Sequence, residues 1–280
     1  ACVGENRDEL GQVVLYGPPG TGKTYVAERV ARYLVDGDQA RVRTIQFHPA
    51  YTYEHFVEGY RPEPSKSGDA LLFHRVDGVL LEVIDRVVKT GQRHVLVVDE
   101  MNRGDLPQVF GELMYLLSRR KQGEGVFLPK SRRMLSLPKK LTLIGTMNTA
   151  DRSIAHVDFA LRRRFRFFEI KPEQEILRQS LLDDGVDAAF AGAMGDLLST
   201  VNVQLRDEGG GALQLGHAYF MGLKSANDLK NVWEREVLPL VEDFVDYDPD
   251  SLSRYRWAGV KKLLETYKKE HQSDDSVDRK

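Results

Sequence analysis

The octapeptide GPPGTGKT at residues 17–24 constrains this chain more than any other feature. It follows an apolar run, Val13 to Tyr16, and opens a stretch, Lys23 to Leu34, whose apolar residues recur at helical spacing. A glycine-rich turn between a buried strand and a helix is a P-loop, in which backbone N–H groups converge on phosphate oxygens beside the positive end of the helix. Pro19, Gly20, Thr21, Gly22 and Tyr25 are then expected around the phosphates. Lys23 reaches the β- and γ-phosphates, and Thr24 offers its hydroxyl to Mg2+.

The rest of the chain is consistent with the α/β architecture such a loop needs. Short apolar runs alternate with helical patterns through the first 170 residues, the signature of a parallel sheet with crossover helices. Strands are expected at Val13 to Tyr16, Val42 to Phe47, Val95 to Val98, Leu141 to Gly145 and Phe165 to Ile170, with helices at Lys23 to Leu34, Gly78 to Val88 and Pro107 to Leu117. Beyond Pro172 the strand signals stop and only helices are expected, at Ile176 to Leu182, Phe190 to Leu205, Val232 to Val245 and Val260 to Lys269. This gives a five-stranded α/β nucleotide-binding domain at 1–171, a small all-helical domain at 172–270, and a disordered tail at 271–280.

Three further segments carry chemistry to the edge of the sheet where ligands bind in such folds. In HVLVVDE, residues 94–100, a buried strand ends in two acids: Asp99 suits Mg2+, and Glu100 suits the water attacking a γ-phosphate. In LTLIGTMNTAD, residues 141–151, a strand delivers Thr146, Asn148, Thr149 and Asp151; Asn148 could position the water, and Asp151 could orient Asn148 or a neighbouring arginine. In VDFALRRRFRF, residues 157–167, Arg162, Arg163 and Arg164 end a short helix, and one of them presented to a neighbour's nucleotide would neutralise transition-state charge. Each has a plainer reading: a solvated acidic turn, a polar turn, a helix end complementing its dipole.

Composition narrows the class. With 40 basic and 42 acidic residues, net charge −2, bulk charge does not hold this chain on nucleic acid, so any such contact is local. The single cysteine, Cys2, excludes an internal disulfide, and the seven histidines show no metal-ligand spacing. No apolar run reaches 18 residues and no signal-peptide grading opens the chain, so a cytoplasmic location is expected. The start at Ala1 rather than Met fits an excised fragment. Eight basic residues between Arg119 and Lys140 face one acid, Glu124, in what reads as a hairpin; it is either a solvated loop or a contact for DNA phosphates or an acidic stalk. Tyr51, Tyr53, Phe56 and Tyr60 read as helix packing against the sheet edge rather than as a base-stacking platform.

In order, GPPGTGKT, VVDEMNR, GTMNTADRS and ALRRRF resemble AAA+ nucleotidases. MNTADRS, with QFHPAYTYEHFVEGYRP (46–62) and LGHAYF (215–220), resembles the GTP-dependent McrB-type subunit of modified-cytosine-specific restriction systems, over roughly residues 11–250. The resemblance implies a P-loop AAA+ core followed by a helical lid, Mg2+ and GTP (or ATP) as cofactor and substrate, and a hexameric ring. It also implies a McrC-like nuclease partner, with DNA reached through the complex or an N-terminal reading domain that lies outside this chain. Asn148 and Asp151 fall in the family's signature, Arg163 and Arg164 at the arginine-finger position, and Arg103 and Arg152 at the subunit interface. Where close relatives carry a lid arginine, this chain has Leu213, Gln214 and Leu215, and His217 is a further candidate for facing the nucleotide.

The expected function is a GTP-hydrolysing motor that translocates DNA. An ATP-specific remodeller of the dynein-related or MoxR-like kind would carry the same phosphate motifs. A nucleotide-gated scaffold with little turnover would not need Glu100.

Overall fold

A computed structural model of the chain describes residues 11–64, 71–120, 123–149, 159–209, 213–244 and 252–277. The chain divides into two units. One holds the described part of 1–16 together with Lys23–Glu169; the other holds Gly17–Gly22 and Ile170–Lys280.

In the first unit, β1 (Gln12–Gly17), β2 (Val42–Gln46), β5 (His94–Asp99), β8 (Leu141–Asn148) and β9 (Arg166–Glu169) form one five-stranded sheet in the order β2-β5-β8-β1-β9. All five expected strands are present. Neighbouring strands run parallel, Val42 opposite Val95, His94 opposite Leu141 and Val13 opposite Arg166. The central strands are buried on both faces, which is why HVLVVD and LTLIGTM read as continuous apolar runs rather than alternating ones. Around the sheet, α1 (Lys23–Leu34) buries Ala27, Ala31 and Leu34, and α3 (Val79–Thr90) buries Leu80, Leu81, Ile84 and Val87 before Gly91, at φ +62°, closes it.

Two departures from the sequence pattern have local causes. The helix expected over Pro107 to Leu117 is two helices, α4 (Leu106–Phe110) and α5 (Leu113–Arg119), broken at Gly111. There φ is +48°, and a Cβ would meet the Tyr53 ring at 2.9 Å. The second is an antiparallel ribbon, β3 (Glu58–Pro64) with β4 (Leu71–Asp77), following the one-turn helix α2 (Tyr53–Phe56). Pro62 and Pro64 argue against a strand; they are tolerated because a two-stranded ribbon leaves one edge of each strand unpaired. A second ribbon pairs β6 (Gly125–Phe127) with β7 (Met134–Ser136).

Glu58, fully buried at the root of the first ribbon, joins it to the second. Its carboxylate accepts from the Lys130 N–H at 2.8 Å and from the Ser131 N–H at 3.1 Å, and Arg75 lies 3.9 Å away. Backbone donors and a guanidinium are what a buried carboxylate requires.

In the second unit the described elements after residue 170 are helical. They are α7 (Gln174–Asp183), α8 (Ala188–Gly209), α9 (Ala226–Val232), α10 (Leu238–Phe244) and α11 (Trp257–Val277), with a π turn at Trp233–Val237 between α9 and α10. Trp233 and Tyr255 are the largest buried side chains; the indole N–H donates to the Tyr255 carbonyl at 2.6 Å and Phe220 stacks on the indole. The last helix continues through 271–277, where the sequence suggested a tail. His271 lies 2.7 Å from Asp196, and its ring sits where Gly192 leaves no Cβ in the way, which fixes α11 against α8.

Candidate active site

The carboxyl ends of β5 and β8 and the first turn of α1 converge on one hydrogen-bonded cluster. Thr24 and Thr146 both donate their hydroxyls to Asp99 Oδ1, at 2.7 and 2.6 Å. The Thr146 oxygen also accepts from the Glu100 N–H at 3.1 Å, so one threonine ties together the two acids of the strand end. Asn148 Nδ2 donates to Glu100 Oε1 at 2.5 Å, and Arg103 Nε lies 3.5 Å from Glu100 Oε2. Glu100 occupies the left-handed region, φ +50° and ψ +43°, a conformation costly for a non-glycine residue and held here by that network.

The sequence did not single out Asn102, which is 7% exposed and donates from Nδ2 to the Asn148 carbonyl at 3.1 Å, fixing the backbone that carries Asn148. A polar side chain two residues past a buried acidic strand end was the available signal.

Lys23 is 6% exposed. Burial draws its ammonium down to a pKa of about 8, against the opposing pull of the Glu100 and Asp99 carboxylates. A triphosphate favours the charged ammonium, so binding raises this pKa. Nucleotide affinity is therefore expected to be level below pH 8 and to weaken as pH rises through the free-protein value. Calorimetry at pH 8.5 in two buffers of different ionisation enthalpy should show proton uptake on binding; equal heats in both would contradict the assignment.

The donor set suits a hard cation. The Thr24 hydroxyl and Asp99 carboxylate are adjacent oxygens, and Mg2+ in phosphate sites takes one or two protein oxygens and completes its shell with phosphate and water. Among the described residues no group of three or more His, Cys, Asp or Glu forms an all-protein metal cage.

In the second unit, Gly20 and Gly22 of the P-loop take φ of +72° and +77°, and the Thr21 hydroxyl donates to the Pro18 carbonyl at 2.9 Å. At the lid positions, Leu213 and Leu215 are buried apolar residues. His217 is 6% exposed, its Nδ1 accepts from the Glu173 N–H at 3.2 Å, and burial lowers its pKa, so the neutral ring carries its proton on Nε2.

The other sequence candidates are distributed unevenly. Tyr25 is 60% exposed and its hydroxyl accepts from Arg29 one turn along α1. Arg164 is half-buried and donates from Nε to the Met114 carbonyl at 2.6 Å, whereas Arg163, at the end of α6 (Phe159–Arg162), is exposed. Asp151 and Arg152 lie outside the described residues.

The basic segment 119–140 offers less positive charge than its sequence suggests. Arg119 pairs with Glu124 at 3.1 Å, Lys130 with Glu54 at 2.7 Å, and Arg133 lies 3.4 Å from Asp85; Lys140 donates to the Gly91 carbonyl. Arg120 is half-buried, its guanidinium donating to the carbonyls of Gly11, Pro138 and Leu141, and desolvation lowers its pKa to about 10. Lys121 lies outside the described residues. The aromatics pack: Phe47 stacks on Tyr51 with centroids 4.6 Å apart and Phe56 meets Phe110 at 4.9 Å, leaving only Tyr60 exposed, on the ribbon.

Residues 12–165 match the AAA domain (dynein-related subfamily), and residues 193–252 match the McrB alpha-helical lid domain. The chain is 35% identical over 256 residues to the type IV methyl-directed restriction enzyme EcoKMcrB subunit of Escherichia coli (strain K12), covering 85% of this chain and 54% of that protein. It is 29% identical to the type II restriction enzyme BsuMI component YdiS of Bacillus subtilis (strain 168), covering 58% of this chain and 57% of that protein. Over 133 residues it is 30% identical to the peroxisomal ATPase pex6 of Schizosaccharomyces pombe, covering 37% of this chain and 14% of that protein. The chain thus spans about half the length of the two restriction-system relatives it matches.

Proposed function

We propose that this chain, which belongs to the dynein-related subfamily of AAA domains and carries a McrB-type helical lid, is an oligomeric nucleoside-triphosphatase that prefers GTP. Its hydrolysis drives DNA translocation in a modification-dependent restriction complex with a nuclease subunit. The observation that carries this reading is the cluster in which Thr24, Asp99, Thr146, Glu100 and Asn148 share hydrogen bonds beside a buried Lys23.

The division of labour follows from the donors and acceptors present. P-loop amides and Lys23 bind the phosphates, and Thr24 and Asp99 hold Mg2+. The ion supplies neutralisation of charge on the phosphate oxygens. Glu100, released from Asn148 and Arg103, orients the attacking water and accepts its proton; Asn148 then holds that water. Arg163, exposed at the end of its helix, reaches a neighbour's γ-phosphate in an oligomer, the suggested hexameric ring. Arg164, anchored on Met114, supports the helix end.

Similarity to the two restriction-system proteins supports the biological setting, and with it a cytoplasmic location; no helix among the described residues is long and apolar enough to cross a membrane. The GTP preference rests on likeness to the McrB type, since every phosphate-side residue meets groups common to GTP and ATP. The similarity to the peroxisomal ATPase favours the competing reading, an ATP-driven remodeller with the same machinery.

A trans-acting Arg163 is tested by complementation. Arg163→Ala is expected to lower kcat about 10³-fold with nucleotide affinity unchanged. Mixing it with Lys23→Ala protomers, whose sites are empty but whose arginines are intact, should restore part of the turnover. Undiminished turnover by Arg163→Ala alone would remove the finger assignment.

A further inference from the structure

The described lid segment Leu215–Ala218 and the P-loop belong to the same unit and join backbone to backbone. The Gly216 N–H donates to the Pro19 carbonyl at 2.9 Å, and the Ala218 N–H to the Gly20 carbonyl at 2.8 Å. The approach is so close that a Cβ at Gly216 would lie 1.8 Å from the Gly20 carbonyl carbon and 2.3 Å from the Thr21 nitrogen. Only glycine fits there. The Tyr219 ring packs against Gly20 as well, since a Cβ at Gly20 would fall 2.5 Å from its Cδ2 and Cε2.

The segment is itself held from behind. Asn202, 6% exposed on α8, forms a two-way clamp on Leu215: Nδ2 donates to the Leu215 carbonyl at 2.9 Å and Oδ1 accepts from the Leu215 N–H at 2.6 Å. His217 is fixed by the Glu173 N–H on the other side. One buried amide on a long helix therefore sets the position of Gly216.

What this does to the P-loop follows from peptide geometry. In a planar trans peptide the carbonyl of one residue and the N–H of the next point in opposite directions. Pinning the Pro19 and Gly20 carbonyls onto the lid segment turns the Gly20 and Thr21 N–H groups the other way. Those are amides of the glycine-rich turn that must converge on an anion, and orienting them before the ligand arrives removes an ordering cost from binding.

We propose that Asn202 and Gly216 are positioning residues for nucleotide binding: the Asn202 clamp presents Gly216 and Ala218 to the P-loop carbonyls and so presets its amides for a triphosphate. This rests on the P-loop reading above. Neither residue touches substrate, and the effect falls on ground-state and transition-state binding alike, so KM moves and kcat does not.

The test is titration of Mg2+ with mant-GDP and, separately, mant-ADP into wild type, Asn202→Asp and Gly216→Ala, with steady-state KM and kcat beside it. Asn202→Asp keeps the acceptor for the Leu215 N–H and replaces the donor with an oxygen facing the Leu215 carbonyl. Its Kd and KM are expected to rise about tenfold with kcat within twofold, and Gly216→Ala should lose more. A purely structural role would lower the melting temperature and the active fraction while the folded molecules kept wild-type Kd. Variants that bind within threefold of wild type would overturn the clasp and leave the P-loop reading standing. A wild type that binds neither nucleotide would overturn the P-loop reading, and the clasp with it. Should either variant fail to fold, hydrogen exchange on the wild type decides: amides at 213–220 should gain protection when nucleotide binds, and no gain would overturn the proposal.

Discussion

Lys23→Ala is expected to abolish triphosphate binding at micromolar nucleotide. The ammonium is buried in the first turn of α1, within the field of the Asp99 and Glu100 carboxylates. Truncating a buried partner of a charge-assisted pair costs about 2–5 kcal/mol, roughly 30-fold to several thousandfold in affinity. The same substitution lifts a desolvated charge out of the nucleotide-free protein, so the apo form should melt no lower than wild type below pH 8. The pair of results, lost binding with retained melting temperature, separates a phosphate ligand from a core residue. A variant that bound nucleotide normally would remove Lys23 from the site.

Glu100→Gln is expected to lower turnover about 10²- to 10⁴-fold while leaving Mg2+-nucleotide binding intact. Glutamine keeps the size of the side chain and an oxygen for Asn148 Nδ2, so the cluster around Thr146 survives. It cannot accept the proton of an attacking water. Because Arg103 would lose the carboxylate it approaches at 3.5 Å, a small change in stability is expected and a large one is not. Rapid filtration with labelled nucleotide would show the complex persisting unhydrolysed. Wild-type turnover by Glu100→Gln would place the chemistry elsewhere.

The parts of the site that were legible in the sequence are encoded by adjacent residues. GPPGTGKT, the DE pair at 99–100 and the MN pair at 147–148 each specify a backbone end and its side chains within a few positions, and sheet topology brings them together. What was not legible depends on distant partners. Arg120 reads as surface charge, yet its guanidinium is half-buried and donates to three carbonyls from two other segments. Nothing adjacent in the sequence marks Glu58 as buried; its partners, the backbone N–H groups of residues 130 and 131, lie 72 and 73 positions away. Nothing adjacent in the sequence marks Gly216 as constrained, and only its contact with Gly20 reveals that a side chain is excluded. The basic run at 119–140 shows the converse: composition suggested a patch of positive charge, and acids from 54, 85 and 124 pair with much of it.

The central claim, that this chain hydrolyses nucleoside triphosphates through Glu100 at a P-loop site, is tested most directly by phosphate release. GTP and ATP are supplied side by side at high protein concentration with Mg2+, and Glu100→Gln serves as the blank. The account predicts Mg2+-dependent release from GTP, faster than from ATP, and none above background in the variant. Faster release from ATP would leave a general AAA motor and remove the GTP preference. Release from neither nucleotide above the Glu100→Gln blank would contradict the claim.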